Sequence, residues 1–204
     1  MPLQNRVTPF GDIVALPGRG LMMGNRGILH DDRARIVRPW QGRRWIACKL
    51  EFRGRKRVVM RPHSYTELFF LDEAAALSAG HRPCAECRHE DYQRFRSLWQ
   101  SCFGSPASAD SMDAELHEHR LLARRKRTYR EDISTLPDGT YVVVDGEARL
   151  ILGKKVFRWS DCAYTGASPR PARGVVDVLT PRPIVAVLAA GYEPSIHPSV
   201  MALS

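Results

Sequence analysis

Short apolar segments separated by polar turns in the second half of the chain predict a series of β-strands. The segments are residues 140–144, 148–152 and 155–159, and Asp145-Gly146 between the first two is typical of a tight hairpin turn. A further apolar segment at residues 175–179 predicts one more strand. The second half is therefore predicted to be rich in β-structure.

The first half contains shorter apolar segments, which predict strands at residues 12–16 and 65–70. Between them, a basic turn at residues 53–56 separates two further apolar segments. This pattern predicts an exposed basic hairpin over residues 44–60, and Cys48 lies in or beside its first strand.

Apolar residues at helical spacing predict four helices, over residues 73–79, 89–100, 112–126 and 184–190. Asp72 is placed to cap the first helix, and Gly80 supplies a left-handed stop. Gly191 closes the last helix in the same way. The segments around the two glycines share the pattern Leu-small-Ala-Gly-aromatic-x-Pro, which indicates one type of helix-stop turn used twice.

The order of these elements predicts an α+β fold. A small β-hairpin and helix unit occupies the first half, and the β-rich second half ends in a helix. The small, polar loop at residues 101–111 is a candidate boundary. It divides the chain into an arm plus hairpin unit at residues 1–104 and a C-terminal region at 112–204, unless the two form one continuous domain.

Two cysteines separated by two residues form the most specific chemical motif in the chain. Cys84 and Cys87 follow the glycine stop, and a C-x-x-C turn places both sulfurs on one side of a tight knuckle. Such a pair binds a metal, forms a redox disulfide or packs as two buried thiols, and we favour the metal. Cys48 lies upstream at a separation typical of the other half of a zinc module, so it is a third candidate ligand.

The composition is ordinary for a globular chain, with 204 residues of which 44% are hydrophobic. No apolar segment is long enough to predict a membrane span, and the N-terminus opens without the apolar segment of a signal peptide. The five cysteines, an odd number, fit a reducing compartment. We therefore expect a cytoplasmic protein that does not associate with membranes.

The net charge of +9 predicts a polyanionic partner, and nucleic acid is the commonest one inside cells. Arginine outnumbers lysine in the basic segments, which suits bidentate phosphate recognition, although a solvated basic surface is the alternative interpretation. The candidate DNA contacts cluster on and before the predicted hairpin and are Arg43, Arg44, Arg53, Arg55, Lys56 and Arg57.

The segment Phe69-Phe-Leu-Asp-Glu-Ala-Ala-Ala-Leu-Ser-Ala-Gly-His-Arg-Pro-Cys-Ala-Glu-Cys87 combines a strand end, an Ala-rich helix and an Arg-Pro-Cys-x-x-Cys knuckle. In this combination the chain resembles the N-terminal zinc-binding domain of the Ada adaptive-response DNA-repair proteins, over residues 44–88. The resemblance implies a zinc site with Cys84 and Cys87 as the second ligand pair and Cys48 as the first ligand. It also implies that Cys48 accepts a methyl group from a methylated DNA phosphate, because zinc keeps the sulfur as a nucleophilic thiolate.

One position departs from the family's pattern. Phe52 stands four residues after Cys48, where the family has another cysteine. A closed tetrahedral site therefore needs a further donor, for which His30 is the candidate and His63 the alternative. If water takes that position, the site is open and suits metal-assisted hydrolysis.

Three functions agree with these features. The first is a zinc-binding protein that binds DNA in a repair-like role. The second is an enzyme acting on nucleic acid, either a methyl acceptor at Cys48 or a metal-dependent hydrolase with Glu67, Glu86, His89 or His30 near the metal. The third is a protein-interaction or small-molecule-binding domain in which the zinc is purely structural.

Overall fold

The computed structural model describes residues 1–54, 58–104 and 107–203. These residues contain two six-stranded β-sheets and four α-helices. The first sheet contains, as β1 to β6, the strands Arg6–Val7, Ile13–Val14, Met22–Asn25, Ile46–Cys48, Leu68–Phe70 and Arg82–Pro83. A short hairpin contains, as β7 and β8, the strands Leu121–Leu122 and Arg125–Lys126. The second sheet contains, as β9 to β14, the strands Tyr129–Asp132, Tyr141–Val144, Glu147–Leu152, Lys155–Trp159, Tyr164–Pro169 and Val175–Val178. The helices α1 to α4 are Glu73–Ser78, His89–Phe103, Ala109–Arg120 and Arg182–Ala189, and short 3₁₀ helices occur at Ile133–Thr135 and Pro198–Leu203.

The order of these elements confirms the predicted α+β class, with a β-rich C-terminal part and a terminal helix. The strands predicted from apolar segments in the second half form as β10, β11, β12 and β14, and all of their pairings are antiparallel. Within the described ranges, no helix combines the length and the apolar character that crossing a membrane requires.

The first sheet has the strand order β2-β1-β5-β3-β4-β6 and differs from the prediction at β4. β4 is antiparallel to β3, with Met23 opposite Cys48, and parallel to β6. Residues 58–60 form no strand, so the predicted hairpin over residues 44–60 is wrong in its described part. Val58 is 73% exposed, whereas β3 is buried and offers β4 an apolar partner.

The helix α3 is shorter than predicted. It ends at Arg120, and residues 121–126, predicted to continue the helix, form the β7–β8 hairpin instead. The two turn residues, Ala123 and Arg124, have φ angles of 47° and 68°. Two-residue hairpin turns need positive φ, which glycine or asparagine usually provides, so the sequence lacks the usual signal for this turn.

Apolar clusters join the two halves of the chain. In the larger cluster, Phe70 of the first sheet packs in one core with Leu150 of the second. In another, Phe95 of α2, Leu116 of α3 and Val187 of α4 pack together. These cores cross the candidate boundary at residues 101–111, of which residues 105 and 106 lie outside the described ranges.

Asp72 connects the first helix to the C-terminal part of the chain. Its Oδ1 accepts the backbone N–H of Ala75 at 2.9 Å, which confirms the predicted helix cap. Its Oδ2 accepts the Tyr164 hydroxyl at 2.7 Å and the backbone N–H of His197 at 3.0 Å. Burial raises the pKa of this carboxyl. One buried side chain therefore links α1, β13 and the last turns of the protein.

The helices α1 and α4 end in the same type of turn. Gly80 and Gly191 have φ angles of 88° and 102°. The residues after them, His81 and Tyr192, each donate a backbone N–H to the carbonyl five residues earlier, at 3.0 and 3.1 Å. This is the hydrogen-bond pattern of a Schellman motif. The shared sequence pattern is therefore a helix stop that the chain uses twice.

We expect alanine to be more costly at Gly80 than at Gly191. Both substitutions force a non-glycine residue into the left-handed region, which costs about 1–2 kcal/mol. At Gly191 a new Cβ meets nothing within 4 Å, whereas at Gly80 it lies 2.8 Å from Cδ of the buried Arg120. Gly80→Ala should therefore lower the free energy of unfolding by about 1 kcal/mol or more beyond the loss in Gly191→Ala. Denaturant unfolding of both variants measures this difference, and equal losses would contradict the packing argument.

Candidate metal centre

The strands β4 and β6 bring two of the three predicted cysteine ligands together. The strands are parallel, with Ala47 opposite Pro83, and the next residue on each side is a cysteine. The N–H of Cys84 donates to the Ala47 carbonyl at 2.9 Å. Strand register therefore makes Cys48 and Cys84 neighbours, although they are distant in sequence.

The turn between β6 and α2 adds the third cysteine. The N–H of Arg88 donates to the Cys84 carbonyl at 3.1 Å, which closes the turn around Cys87. The three Sγ atoms all lie within 4.8 Å of one another, and Cys48, Cys84 and Cys87 are only 6%, 8% and 7% exposed. In the described part of the chain, no other group of three cysteine, histidine or carboxylate ligands is this compact.

Hydrogen bonds to the sulfurs favour a single thiolate, at Cys84. The thiols of Cys48 and Cys87, followed by the backbone N–H groups of Cys87 and Glu86, donate to Cys84 and lower its pKa. The hydrogen bond to Cys84 in turn raises the pKa of Cys48, since a second thiolate beside the first is unfavourable. The Cys48 thiol and the backbone N–H of Lys49 bond to the Cys87 sulfur, but its hydrogen bond to Cys84 and its burial outweigh them and raise the pKa of Cys87. All three thiols can ionise together only if a cation binds, so the donor set fits a thiolate-bound metal ion.

The histidines predicted as the fourth ligand lie elsewhere. His30 is buried, and its Nδ1 bonds to the Thr66 hydroxyl at 2.7 Å while its Nε2 bonds to the Arg61 carbonyl at 3.1 Å. His63 is exposed, and its Nε2 lies 3.8 Å from Oδ1 of Asp32. Neither joins the cysteine cluster. The physical reason for His30 is strand direction, because β3 is antiparallel to β4 and carries the following residues away from the end of β4 that holds Cys48.

Apolar side chains form one side of the cysteine cluster. Phe52, which stands where the Ada family has a cysteine, is partly buried and packs in the same cluster as Leu50 and Ile46. Met23 and Phe69 complete this apolar group. The position that the resemblance would give to a fourth sulfur is therefore occupied by an aromatic ring.

The residues predicted for hydrolysis do not join the cluster. Glu67 is buried, and its Oε2 accepts the Met60 N–H at 2.7 Å. His89 is exposed, and its Nδ1 bonds to the Ala85 carbonyl at 3.2 Å. Neither these two residues nor Glu86 adds a ligand atom to the three sulfurs. Among the described residues, the centre therefore consists of cysteines alone.

The arginines predicted to contact DNA lie at both ends of β4. Arg43 and Arg44 precede the strand and line an open cleft, and Arg44 is 3.5 Å from Asp110. Arg53 follows the strand, with its guanidinium carbon 4.9 Å from the centroid of the Phe52 ring. Arg53 is therefore the one of these three arginines that packs beside the cysteine cluster. Three further candidates lie outside the described residues, namely Arg55, Lys56 and Arg57.

Two buried arginines flank the knuckle, and our sequence analysis did not identify their role. Arg82 donates to both carboxylate oxygens of Asp113 in α3, at 3.0 and 2.7 Å. The Nη2 atom of Arg88 lies 2.7 Å from Oε1 of Glu73 in α1 and 2.8 Å from Oδ2 of Asp91 in α2. These ion pairs fix the cysteine turn against three helices. The available signal was the Arg-Pro-Cys motif itself, because an arginine beside a metal knuckle in a hydrophobic setting requires a partner.

Comparison with known proteins identifies no relative of this chain. No protein-family model, no curated protein and no solved structure matches it. The function must therefore be inferred from the site.

Proposed function

We propose that this protein binds zinc through Cys48, Cys84 and Cys87 and binds DNA in a repair-like role. The observation that carries the proposal is the group of three buried sulfurs within 4.8 Å of one another. A C-x-x-C turn joined by a cysteine from a neighbouring strand is typical of zinc sites. Zinc supplies the positive charge that neighbouring thiolates need, and it prefers the tetrahedral arrangement of soft donors that such a turn provides.

A tetrahedral zinc ion takes one donor in addition to the three cysteines. Because Phe52 packs beside the cluster and both candidate histidines lie elsewhere, we assign this position to water or to a donor from a binding partner. The chain itself contributes three sulfurs, amide donors that stabilise them, and an apolar wall that limits the access of water.

The DNA part of the proposal is supported by charge and by the resemblance to the Ada zinc-binding domain. The chain carries a net charge of +9. Arg43, Arg44 and Arg53 are exposed, so their guanidinium groups can reach a phosphate backbone. Contacts of this kind position a protein on DNA without reading its sequence.

We expect duplex DNA to bind with an affinity that falls steeply as salt increases. Each phosphate that a cationic side chain neutralises contributes about 0.9 to the slope of log K against log salt. The double substitution Arg43→Ala and Arg44→Ala should therefore reduce the slope by about 2 and weaken binding similarly for all sequences. Fluorescence anisotropy with labelled duplexes at several salt concentrations measures both quantities.

The matched control is Arg173→Ala, which removes an exposed arginine in the bend before β14 of the second sheet. This variant should keep the slope of the unaltered protein. Binding that is insensitive to salt, or a double variant with an unchanged slope, would exclude DNA binding through these arginines while leaving the zinc site untouched.

Methyl acceptance by Cys48 is the second candidate function. Arg53 packs on Phe52 and places a positive charge beside the cluster, where a DNA phosphate could approach. In this reaction the Cys48 thiolate forms a bond to the methyl carbon as the carbon–oxygen bond of the phosphotriester breaks, and the phosphate leaves as a diester anion. A duplex with one methylated phosphate should then add one methyl mass to the Cys48 peptide in mass spectrometry. An unchanged mass would exclude methyl acceptance by Cys48.

A further inference from the structure

A second site lies between the N-terminal arm and the β7–β8 hairpin. It is a pocket of about 370 Å³ whose lining includes Arg26, Arg120, Lys126, Trp40 and Trp45. We call it the basic pocket. None of the three cysteines lines it, so it is separate from the metal centre.

Three cations in the wall of the basic pocket are held by carbonyl oxygens rather than by carboxylates. Arg26 and Arg120 are only 2% and 1% exposed, and Lys126 is partly buried. Their hydrogen bonds go to the carbonyls of Gly11 for Arg26 (2.8 Å), of Gly80 and Arg43 for Arg120 (2.9 and 2.5 Å), and of Pro9 and Ser78 for Lys126. Arg120 also bonds to Nδ1 of His117 at 3.1 Å. The wall therefore concentrates positive charge that neutral groups hold in place.

In the residues that the structure describes, the cations of the basic pocket have no carboxylate partner as close as the one that pairs with the buried Arg82. The buried Arg82 meets the Asp113 carboxylate at 2.7 Å, whereas the carboxylate in the described lining of the basic pocket is the exposed Asp12. Asp113 also attracts Arg120, but its carboxylate is already bonded to Arg82. Burial lowers the pKa of Arg26 and Arg120 to about 9 and the pKa of Lys126 to about 7. An anion in the basic pocket would relieve this cost of burying positive charge.

Several donors of the lining are left without acceptors. The Nε atoms of Arg26 and Arg120 and the indole Nε1 of Trp40 are buried and have no hydrogen-bond partner among the described residues. Buried donors are rarely unpaired in folded proteins. The arrangement therefore calls for an acceptor that comes from outside the chain, and phosphate oxygens suit guanidinium donors.

Two tryptophans give the basic pocket an aromatic wall. The Trp45 ring has the guanidinium carbons of Arg120 and Arg26 at 4.0 and 4.6 Å from its centroid. Trp40 is partly buried and meets His117 edge-on, with the ring centroids 4.8 Å apart. Aromatic side chains beside phosphate-binding cations are the combination that holds both parts of a nucleotide.

We propose that the basic pocket binds a nucleotide, with its phosphate on Arg26, Arg120 and Lys126 and its base against Trp40. The volume falls within the range of small-molecule sites, about 300–1,000 Å³. A phosphate alone would leave the aromatic wall unused. The proposal does not depend on the zinc site or on the DNA contacts of Arg43 and Arg44. The same chemistry is offered by a free nucleotide and by the phosphorylated end of a DNA strand.

Isothermal titration calorimetry with adenosine 5′-monophosphate tests the proposal, with inorganic phosphate and adenosine as partial ligands. The monophosphate should bind at least about tenfold more tightly than either partial ligand, because charge-assisted hydrogen bonds and stacking each contribute about that factor. Equal affinity for monophosphate and inorganic phosphate, or no binding of either, would overturn the proposal.

Variants connect the binding to this pocket. Lys126→Met should weaken the monophosphate about tenfold, and Trp40→Leu should weaken the monophosphate more than it weakens inorganic phosphate. Arg125→Ala, an exposed residue of the lining, provides a variant that leaves the buried wall intact and should weaken binding severalfold. Circular dichroism confirms that each variant is folded. Unchanged affinity in folded Lys126→Met and Arg125→Ala would place the ligand elsewhere and refute the assignment.

Short single-stranded DNA with and without a 5′-phosphate distinguishes the two sources. If the phosphorylated strand binds more tightly than the monophosphate, the basic pocket receives a strand end. If the monophosphate binds more tightly, it receives a free nucleotide. Loss of binding to duplex DNA in the Arg43 and Arg44 double variant, with monophosphate binding retained, would show that the two proposals are independent.

Discussion

Removal of the metal should lower the melting temperature of the protein by about 10 °C. A ligand that binds only the folded state at 1,000 times its dissociation constant stabilises that state by about 4 kcal/mol. For a chain of this length, each kcal/mol shifts the midpoint by about 2–4 °C. Because the three cysteines join two strands and a helix-start turn, zinc should act on the fold in this way. Calorimetry with and without a chelator, combined with elemental analysis, measures the shift and the expected single zinc ion per chain.

Single cysteine variants separate the metal site from general thiol chemistry. Cys84→Ser should lose the zinc and show the lower melting temperature without a chelator. Cys102→Ser changes an exposed thiol outside the cluster and should keep both the zinc and the stability. Purified protein without metal, or a melting temperature that a chelator does not change, would contradict the proposed site.

Asp113→Ala should lower the free energy of unfolding by about 3–5 kcal/mol, because it leaves the buried Arg82 without its partner. The side chains of this pair are only 2% and 3% exposed, and the arginine makes two hydrogen bonds to the carboxylate. A buried charge left without its partner loses its compensation and still carries the cost of desolvation. Denaturant unfolding gives the value directly.

Asp110→Ala is the matched control for this substitution. Asp110 lies on the same helix and pairs with Arg44 at 3.5 Å, but the two side chains are 84% and 70% exposed. Exposed ion pairs contribute about 0–1 kcal/mol, so this variant should be nearly as stable as the unaltered protein. Similar losses in both variants would show that the change in helix α3, rather than the buried pair, determines the result.

Local sequence patterns predicted the helices and strands of this protein better than they predicted the contacts between these elements. The apolar segments at residues 140–159 gave the correct strands because tight turns separate them and neighbouring residues such as Tyr141 and Val142 are buried in two different cores. The Asp72 cap formed because its acceptor and donor lie within one turn. The partner of strand β4 was predicted wrongly. Its partner β3 lies far upstream, and nothing in residues 44–60 encodes that pairing.

The same distinction explains what was predicted of the metal centre. Cys84 and Cys87 follow from spacing alone, because the turn that joins them is local. The proposed ligand His30 was chosen by its closeness in sequence, but the antiparallel direction of β3 takes it away from the sulfurs. The ion pair between Arg82 and Asp113 joins residues from separate elements, so no local pattern could have indicated it.

The shared core has a consequence for how the protein is made. Val7 lies in β1, next to the edge strand β2 of the first sheet. It belongs to the same apolar cluster as Val200. The Asp72 carboxylate likewise gains one of its hydrogen bonds only when His197 has been added to the chain. On a ribosome, the three cysteines and their apolar neighbours from Met23 to Cys87 therefore emerge long before the residues that complete the larger core. Early binding of the proposed zinc ion would join β4 to the Cys84–Cys87 turn while that core is still incomplete.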